Sequence, residues 1–144
     1  MGMEKEKTRL RGSCLCGRVN ISVKNRFSYF GSCHCSQCRK FSGSAFSVVA
    51  GVPYEDFEVV SGESDITYYA KSETGTLAFC GNCGSSLFGD RCDTKMIHLR
   101  AGILDDPPSQ QPTYHVCTRS KAPWYQITDG LAQFEELPPS VKRD

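Results

Sequence analysis

Gly12-Ser13-Cys14-Leu15-Cys16-Gly17-Arg18-Val19-Asn20-Ile21-Ser22-Val23-Lys24 carries both features on which the fold turns: a cysteine pair and a strictly alternating run. From Arg18 to Lys24 apolar and polar residues alternate, which reads as a half-buried strand with Val19, Ile21 and Val23 facing the core. Similar short runs lie at 45–50, 57–60, 66–70, 76–79 and 96–101, separated by punctuation such as Ser61-Gly62 and Asp105-Asp106-Pro107-Pro108. No stretch keeps a helical period over three turns, and Pro53-Tyr54-Glu55-Asp56 allows a turn of helix at most. The expectation is a mainly β domain of antiparallel sheets with little helix. At 144 residues the chain suits one domain, set at 12–136 between a charged N-terminal tail over 1–11 and a C-terminal tail over 137–144.

Seven of the nine cysteines fall into Cys14-x-Cys16, Cys33-x-Cys35-x-x-Cys38 and Cys80-x-x-Cys83. In a reducing compartment such clusters point to metal rather than to disulfides. A closed structural zinc takes four protein ligands, so seven thiols imply one closed site and one site with three ligands and an open position. Cys80-Gly81-Asn82-Cys83-Gly84 has the spacing of a zinc knuckle, which pairs with Cys14 and Cys16 to complete a four-thiolate set. The remaining trio, Cys33, Cys35 and Cys38, sits close enough on one loop to face a second ion, where an incoming thiol would lose its proton. Two other arrangements stay open. Cys35-x-x-Cys38 and Cys80-x-x-Cys83 alone would make a one-zinc ribbon, and His34 would close the second site as a fourth ligand. Between two ligands in an extended loop, however, the His34 ring points the other way.

Lys plus Arg number 17 against 16 Asp plus Glu, so the net charge of +1 gives no electrostatic footprint for nucleic acid or an acidic membrane. The N-terminal residues lack the apolar region of a secretory signal, and no run approaches the ~20 apolar residues of a membrane span. Gly2 is followed by Glu6, where a myristoylation signal requires Ser or Thr. A soluble cytoplasmic protein is expected. Cys92 and Cys117 belong to no cluster and read as incidental or packing thiols. His98, alternating with Ile97 and Leu99 beside Arg100, reads as a pocket-lining or hydrogen-bonded histidine, and His115 likewise. Trp124, the single tryptophan, reads as a core anchor for the C-terminal segment.

Taken in order, Gly12-Ser13-Cys14-Leu15-Cys16-Gly17-Arg18-Val19, Cys33-His34-Cys35-Ser36-Gln37-Cys38-Arg39-Lys40 and Phe79-Cys80-Gly81-Asn82-Cys83-Gly84 resemble the glutathione-dependent formaldehyde-activating enzyme family, which also includes centromere protein V. Ala101-Gly102-Ile103-Leu104-Asp105-Asp106-Pro107, Ala122-Pro123-Trp124 and Asp129-Gly130-Leu131 extend the resemblance. Thr is commoner than Ile103 in this pattern, and Cys117 stands where an aromatic residue is frequent. The resemblance implies a β-tent fold and two zincs per chain: a structural one on Cys14, Cys16, Cys80 and Cys83, and a catalytic one on Cys33, Cys35 and Cys38.

The activity implied is that of a carbon–sulfur lyase that joins glutathione, as co-substrate, to formaldehyde or a related aldehyde, its thiolate on the open three-cysteine zinc attacking the carbonyl carbon. Glutathione is anionic, which calls for cations near the trio. Arg39 and Lys40 adjoin it and are expected to bind the thiol, with Arg100, Arg119 and Lys121 as weaker candidates. The centromere branch implies the alternative, a noncatalytic zinc module for a protein or chromatin partner.

Overall fold

The computed structural model describes residues 7–137. Residues 1–6 and 138–144 of the expected tails lie outside them. Strands β1 (Arg9–Ser13), β2 (Asn20–Lys24) and β5 (Phe57–Ser61) form a small antiparallel sheet in the order β1-β2-β5. The large sheet holds β3 (Tyr29–Cys33), β4 (Ser47–Pro53), β6 (Ile66–Ala70), β7 (Gly75–Cys80), β8 (Ser86–Arg91), β9 (Met96–Arg100), β10 (Tyr114–Val116) and β11 (Ala132–Gln133). Its order is β11-β10-β3-β4-β9-β8-β7-β6. Helix α1 (Ser36–Ser42) follows β3 directly.

Alternation in the sequence becomes a core in the structure. Ile21 and Val23 of β2, with Val19 just before it, meet Leu10 of β1 and the inward residues Phe30, Ala50, Val52, Ile97 and Leu99 of the large sheet. Leu10, Val19, Ala50 and Leu99 are wholly buried, and truncating a buried leucine to alanine costs about 2–5 kcal/mol. Because side chains alternate along a strand, the opposite face of the large sheet carries a second set: Tyr29 and Cys33 of β3, Val49 and Gly51 of β4, His98 and Arg100 of β9. Register aligns them in rows, with Tyr29 opposite Gly51 and Gly51 opposite His98, then Gly31 opposite Val49 and Val49 opposite Arg100.

The mainly β expectation holds, with four differences of detail. Strand β1 begins at Arg9, inside the run expected as tail, because Leu10 supplies an apolar anchor among charged neighbours. Strand β10 pairs in parallel with both β3 and β11; the excursion of chain through β4 to β9 permits the first pairing and the segment 117–131 the second. Helix α1 has no counterpart in the periodicity, since only Cys38 of its seven residues is buried. Pro53 precedes a 3₁₀ turn at Tyr54–Asp56 rather than occupying its first position.

β1 is tied to the far loop after β9 by Asp106. Its carboxylate accepts hydrogen bonds from the Arg11 backbone N–H (2.8 Å), the Arg11 guanidinium (3.2 Å) and Lys7 Nζ (2.8 Å). The Arg11 guanidinium first, then Lys7, hold the Asp106 carboxyl well below the ordinary carboxylate range. A depressed pKa means this contribution is present above the unfolded-state value of about 4 and is lost as the pH falls below it. Asp106→Asn is therefore expected to lower the melting temperature at pH 7 and to flatten its decline in acid, read from thermal melts between pH 7 and pH 3.

Candidate metal centre

The sulfurs of Cys14, Cys16, Cys80 and Cys83 all lie within 4.8 Å of one another. Cys14 and Cys16 sit on the turn between β1 and β2, while Cys80 ends β7 and Cys83 follows on the next turn. Their Sγ atoms approach to 3.5 Å for Cys14 and Cys16 and 3.8 Å for Cys16 and Cys80. Four sulfurs at 2.3 Å around a tetrahedral zinc stand about 3.8 Å apart, so these two separations match the scale of that ion's shell. The Val19 N–H donates to Cys14 Sγ at 3.3 Å and the Cys83 N–H to Cys80 Sγ at 3.5 Å. A hydrogen bond with the Ser85 hydroxyl leads the interactions that draw the Cys83 thiol down to about 5. Such donors favour the thiolate, the form that binds metal.

Cys33, Cys35 and Cys38 form a second group whose sulfurs lie within the same 4.8 Å span. β3 delivers Cys33, Cys35 caps α1 by accepting from the Cys38 N–H at 3.3 Å, and the first turn of α1 delivers Cys38. Gly43, in the left-handed conformation at φ 65°, stops the helix after two turns. Hydrogen bonds to the thiols of Cys33 and Cys35, with burial, push the Cys38 thiol far above its ordinary range. Three thiols this close cannot all ionise alone, and a divalent cation reverses that balance. The two CxxC motifs belong to different groups, so the geometry departs from a single ribbon site built on Cys35, Cys38, Cys80 and Cys83. All nine cysteines are free thiols.

His34 turns away from the sulfurs, as its position between two cysteines suggested. It is fully buried, and its Nε2 lies 2.9 Å from Nδ1 of His115, whose Nε2 reaches Asp129 Oδ2 at 2.8 Å. Burial first, then the neighbouring charges, bring His34 down to about 4, so it is neutral at pH 7. The His34-His115-Asp129 chain joins the cysteine loop, β10 and the C-terminal segment. Histidine at 34 and 115 was visible in the sequence; their pairing was not, because parallel register between β3 and β10 creates it.

The trio opens on a pocket lined by Cys33, Cys38, Tyr29, His98, Arg100 and Tyr114, among others. Tyr29 Oη bonds to His98 Nδ1 across Gly51, where an added Cβ would fall 2.1 Å from the tyrosine ring. A glycine at 51 is thus required for the phenol to lie flat along the pocket floor. Neither Arg39 nor Lys40 lines this pocket; both sit on α1, and Lys40 is exposed. Arg119 pairs with Glu135 and Glu136, and Lys121 Nζ bonds the carbonyls of Ala122 and Tyr125. Cys117 packs against Cys33, Cys38 and Val116, though it is outside the close sulfur group, and Cys92 is exposed. Trp124 is 71% exposed, contrary to its expected role as a core anchor. Leu137, expected in the tail, packs against the trio.

Two sheets carrying one four-sulfur and one three-sulfur group define a small β protein whose cysteine clusters could hold zinc. The glutathione-dependent formaldehyde-activating enzyme family matches residues 9–120, and the chain belongs to that family. A Penicillium rubens protein bearing the family's name is 35% identical over 81 residues, which are 56% of this chain and 42% of that protein. An Aspergillus flavus protein of the same name is 33% identical over 107 residues, 70% of this chain and 56% of its own length. The chain spans about half the length of these curated relatives. A crystal structure of a Rhodobacter sphaeroides protein superposes with a TM-score of 0.59 at 27% identity, covering 72% of this chain and 98% of the other.

The geometry separates the two clusters experimentally. A zinc on Cys14, Cys16, Cys80 and Cys83 would be worth on the order of 10 kcal/mol to folding, so Cys80→Ser is expected to abolish it. Cys35→Ser is expected to keep the fold and to lower the bound zinc by one ion relative to the unsubstituted protein, measured by elemental analysis and circular dichroism. Cys117→Ser should leave the zinc content unchanged.

Proposed function

We propose that this protein is a zinc-dependent carbon–sulfur lyase that makes or breaks the adduct between glutathione and formaldehyde or a related aldehyde. The observation that carries this reading is the sulfur trio of Cys33, Cys35 and Cys38, two of which, Cys33 and Cys38, line a pocket, and which has no fourth metal-binding side chain within the group among the described residues. Residues 12–136 act as one unit in this reading. Cys14, Cys16, Cys80 and Cys83 hold a structural zinc and the trio holds the second.

When bound at the trio, zinc supplies a Lewis-acid position at which a thiol ionises at neutral pH. The protein's own residues supply placement. Cys33, Cys35 and Cys38 fix the ion at one end of the pocket. The His34-His115-Asp129 chain holds the loop that carries them, fastening it to β10 and the C-terminal segment. In the synthetic direction the thiol gives its proton to water, a bond forms between glutathione sulfur and the aldehyde carbon, the carbonyl π pair moves to oxygen, and that oxygen takes one proton back from water. Nine free cysteines accord with a reducing cytoplasm, where glutathione is itself held as the thiol. No helix among the described residues is long and apolar enough to cross a membrane.

Thermal stabilisation tests the reading directly. At 100 times its dissociation constant a ligand adds about 2.7 kcal/mol to stability, so the zinc-loaded protein is expected to melt several degrees higher in glutathione. Cys35→Ser should lose the shift. No shift with glutathione or any small thiol would point instead to the noncatalytic zinc module.

A further inference from the structure

Among the described residues Arg100 has no carboxylate counter-ion. Its Nη1 donates to the His98 carbonyl at 2.8 Å, and its guanidinium stands 5.1 Å from the centroid of the Phe41 ring. Its Nε is buried and has no hydrogen-bond partner among the described residues. No carboxylate there forms an ion pair with it. Of the other cations lining the pocket, Arg91 is held by Asp93 at 2.7 Å and Lys71 Nζ donates to Gln37 Oε1 at 3.2 Å, and the one acid lining it among the described residues, Asp90, accepts from Tyr54. Desolvating a charge without a partner is costly, and a ligand that brings the missing anion recovers that cost.

We propose that Arg100 anchors a carboxylate of the incoming thiol and makes the pocket selective for anionic thiols of the glutathione type over neutral ones. The inference rests on the thiol-binding reading above and adds the residue that recognises the substrate's tail. Sheet geometry supports the spacing. Arg100 lies two strands across and one pleat along from Cys33, about 12 Å between Cα atoms at ~4.8 Å per strand and ~3.3 Å per residue. The arginine side chain reaches back across part of that interval. What remains suits a tripeptide thiol, whose sulfur and carboxylates are separated by one or two residues of about 3.5 Å each. Guanidinium also presents a planar fork that fits a carboxylate with two parallel hydrogen bonds. Burial pushes the pKa of Arg100 down, while the thiols of Cys38, Cys33 and Cys35 and the Tyr29 phenol oppose this. An arginine nevertheless stays charged at any physiological pH.

A rival role for Arg100 is to neutralise the trio itself, and calorimetric titration separates the two. Zinc-loaded protein is titrated with glutathione, with its diethyl ester, which keeps the thiol and loses both carboxylates, and with S-methylglutathione, which does the reverse. Glutathione is expected to bind about tenfold or more tighter than the diester. In Arg100→Gln glutathione should weaken to the level of the diester, whose own affinity stays unchanged, and Arg100→Lys should fall between. Equal binding of glutathione and diester by the wild type overturns the proposal and leaves the thiol reading standing, even if the variants do not fold. Loss of zinc from Arg100→Gln with the glutathione-to-diester ratio intact also overturns it, assigning the cation to the trio. S-Methylglutathione that binds as tightly as glutathione, and depends on Arg100, upholds the anchor and removes the thiol reading. If none of the three binds, both fall.

Discussion

The convergence of four sulfurs from two sheets is the constraint on which the architecture depends. Cys14 and Cys16 close the β1–β2 turn of the small sheet, and Cys80 and Cys83 flank the end of β7 in the large one. Hydrophobic contact between the sheets is not directional, so packing alone leaves their relative slide loosely specified. The sulfur cluster fixes one corner of that interface. The Leu15 N–H bond to Ser85 Oγ at 2.9 Å ties the same two turns together without metal. Along β1 itself, Asp106 grips Arg11 at the strand's centre, and Gly12 bridges to Leu104. The small sheet is thus tied both at its β1–β2 turn and along β1, while the pocket forms on the opposite face of the large sheet.

How much of this is legible in the sequence depends on how local each feature is. Strands β2 and β9 announce themselves because alternate residues of each face the core. Strand β8 does not: Leu87, Phe88 and Gly89 are all buried, and a register shift opposite Ala78 and Phe79 breaks its alternation. Strand β3 is hidden for a related reason, since four of its five residues are buried. Helix α1 begins on a cysteine cap rather than the usual Ser, Thr, Asp or Asn, and two turns are too short for a periodic signal.

The trio was readable from spacing, because thiols within six residues must be close in space, whereas the grouping of Cys14 and Cys16 with Cys80 and Cys83 across more than sixty residues followed from the count of seven. Pocket-lining cations were not readable by the same rule. Arg39 and Lys40 adjoin the trio in sequence, yet a helical turn carries them away from the pocket. Arg100 lies more than sixty residues from Cys38 and is brought alongside by the β3-β4-β9 register. Adjacency along a chain predicts adjacency in a metal loop, where the ion sets the scale; across a sheet, register decides instead.

Register also explains why the pocket sits where it does. Gly51 and His98 are directly opposed, and Gly51 faces Tyr29 on its other side, so the absence of one side chain lets the tyrosine ring cross β4 to reach the imidazole. Alanine at 51 would place a carbon inside that ring's path. The flat phenol leaves an open trough above the sheet, with the sulfur trio at one end and Arg100 between the trio row and the tyrosine row. A backbone position without a side chain therefore shapes the space that the charged and metal-binding groups share. The same row geometry places Tyr29 and His98 four residues along from the Cys33 level, about 13 Å by strand rise. At that distance they act on the far end of a bound molecule or on the pocket's shape, and the chemistry at the sulfur end is left to the trio and to solvent.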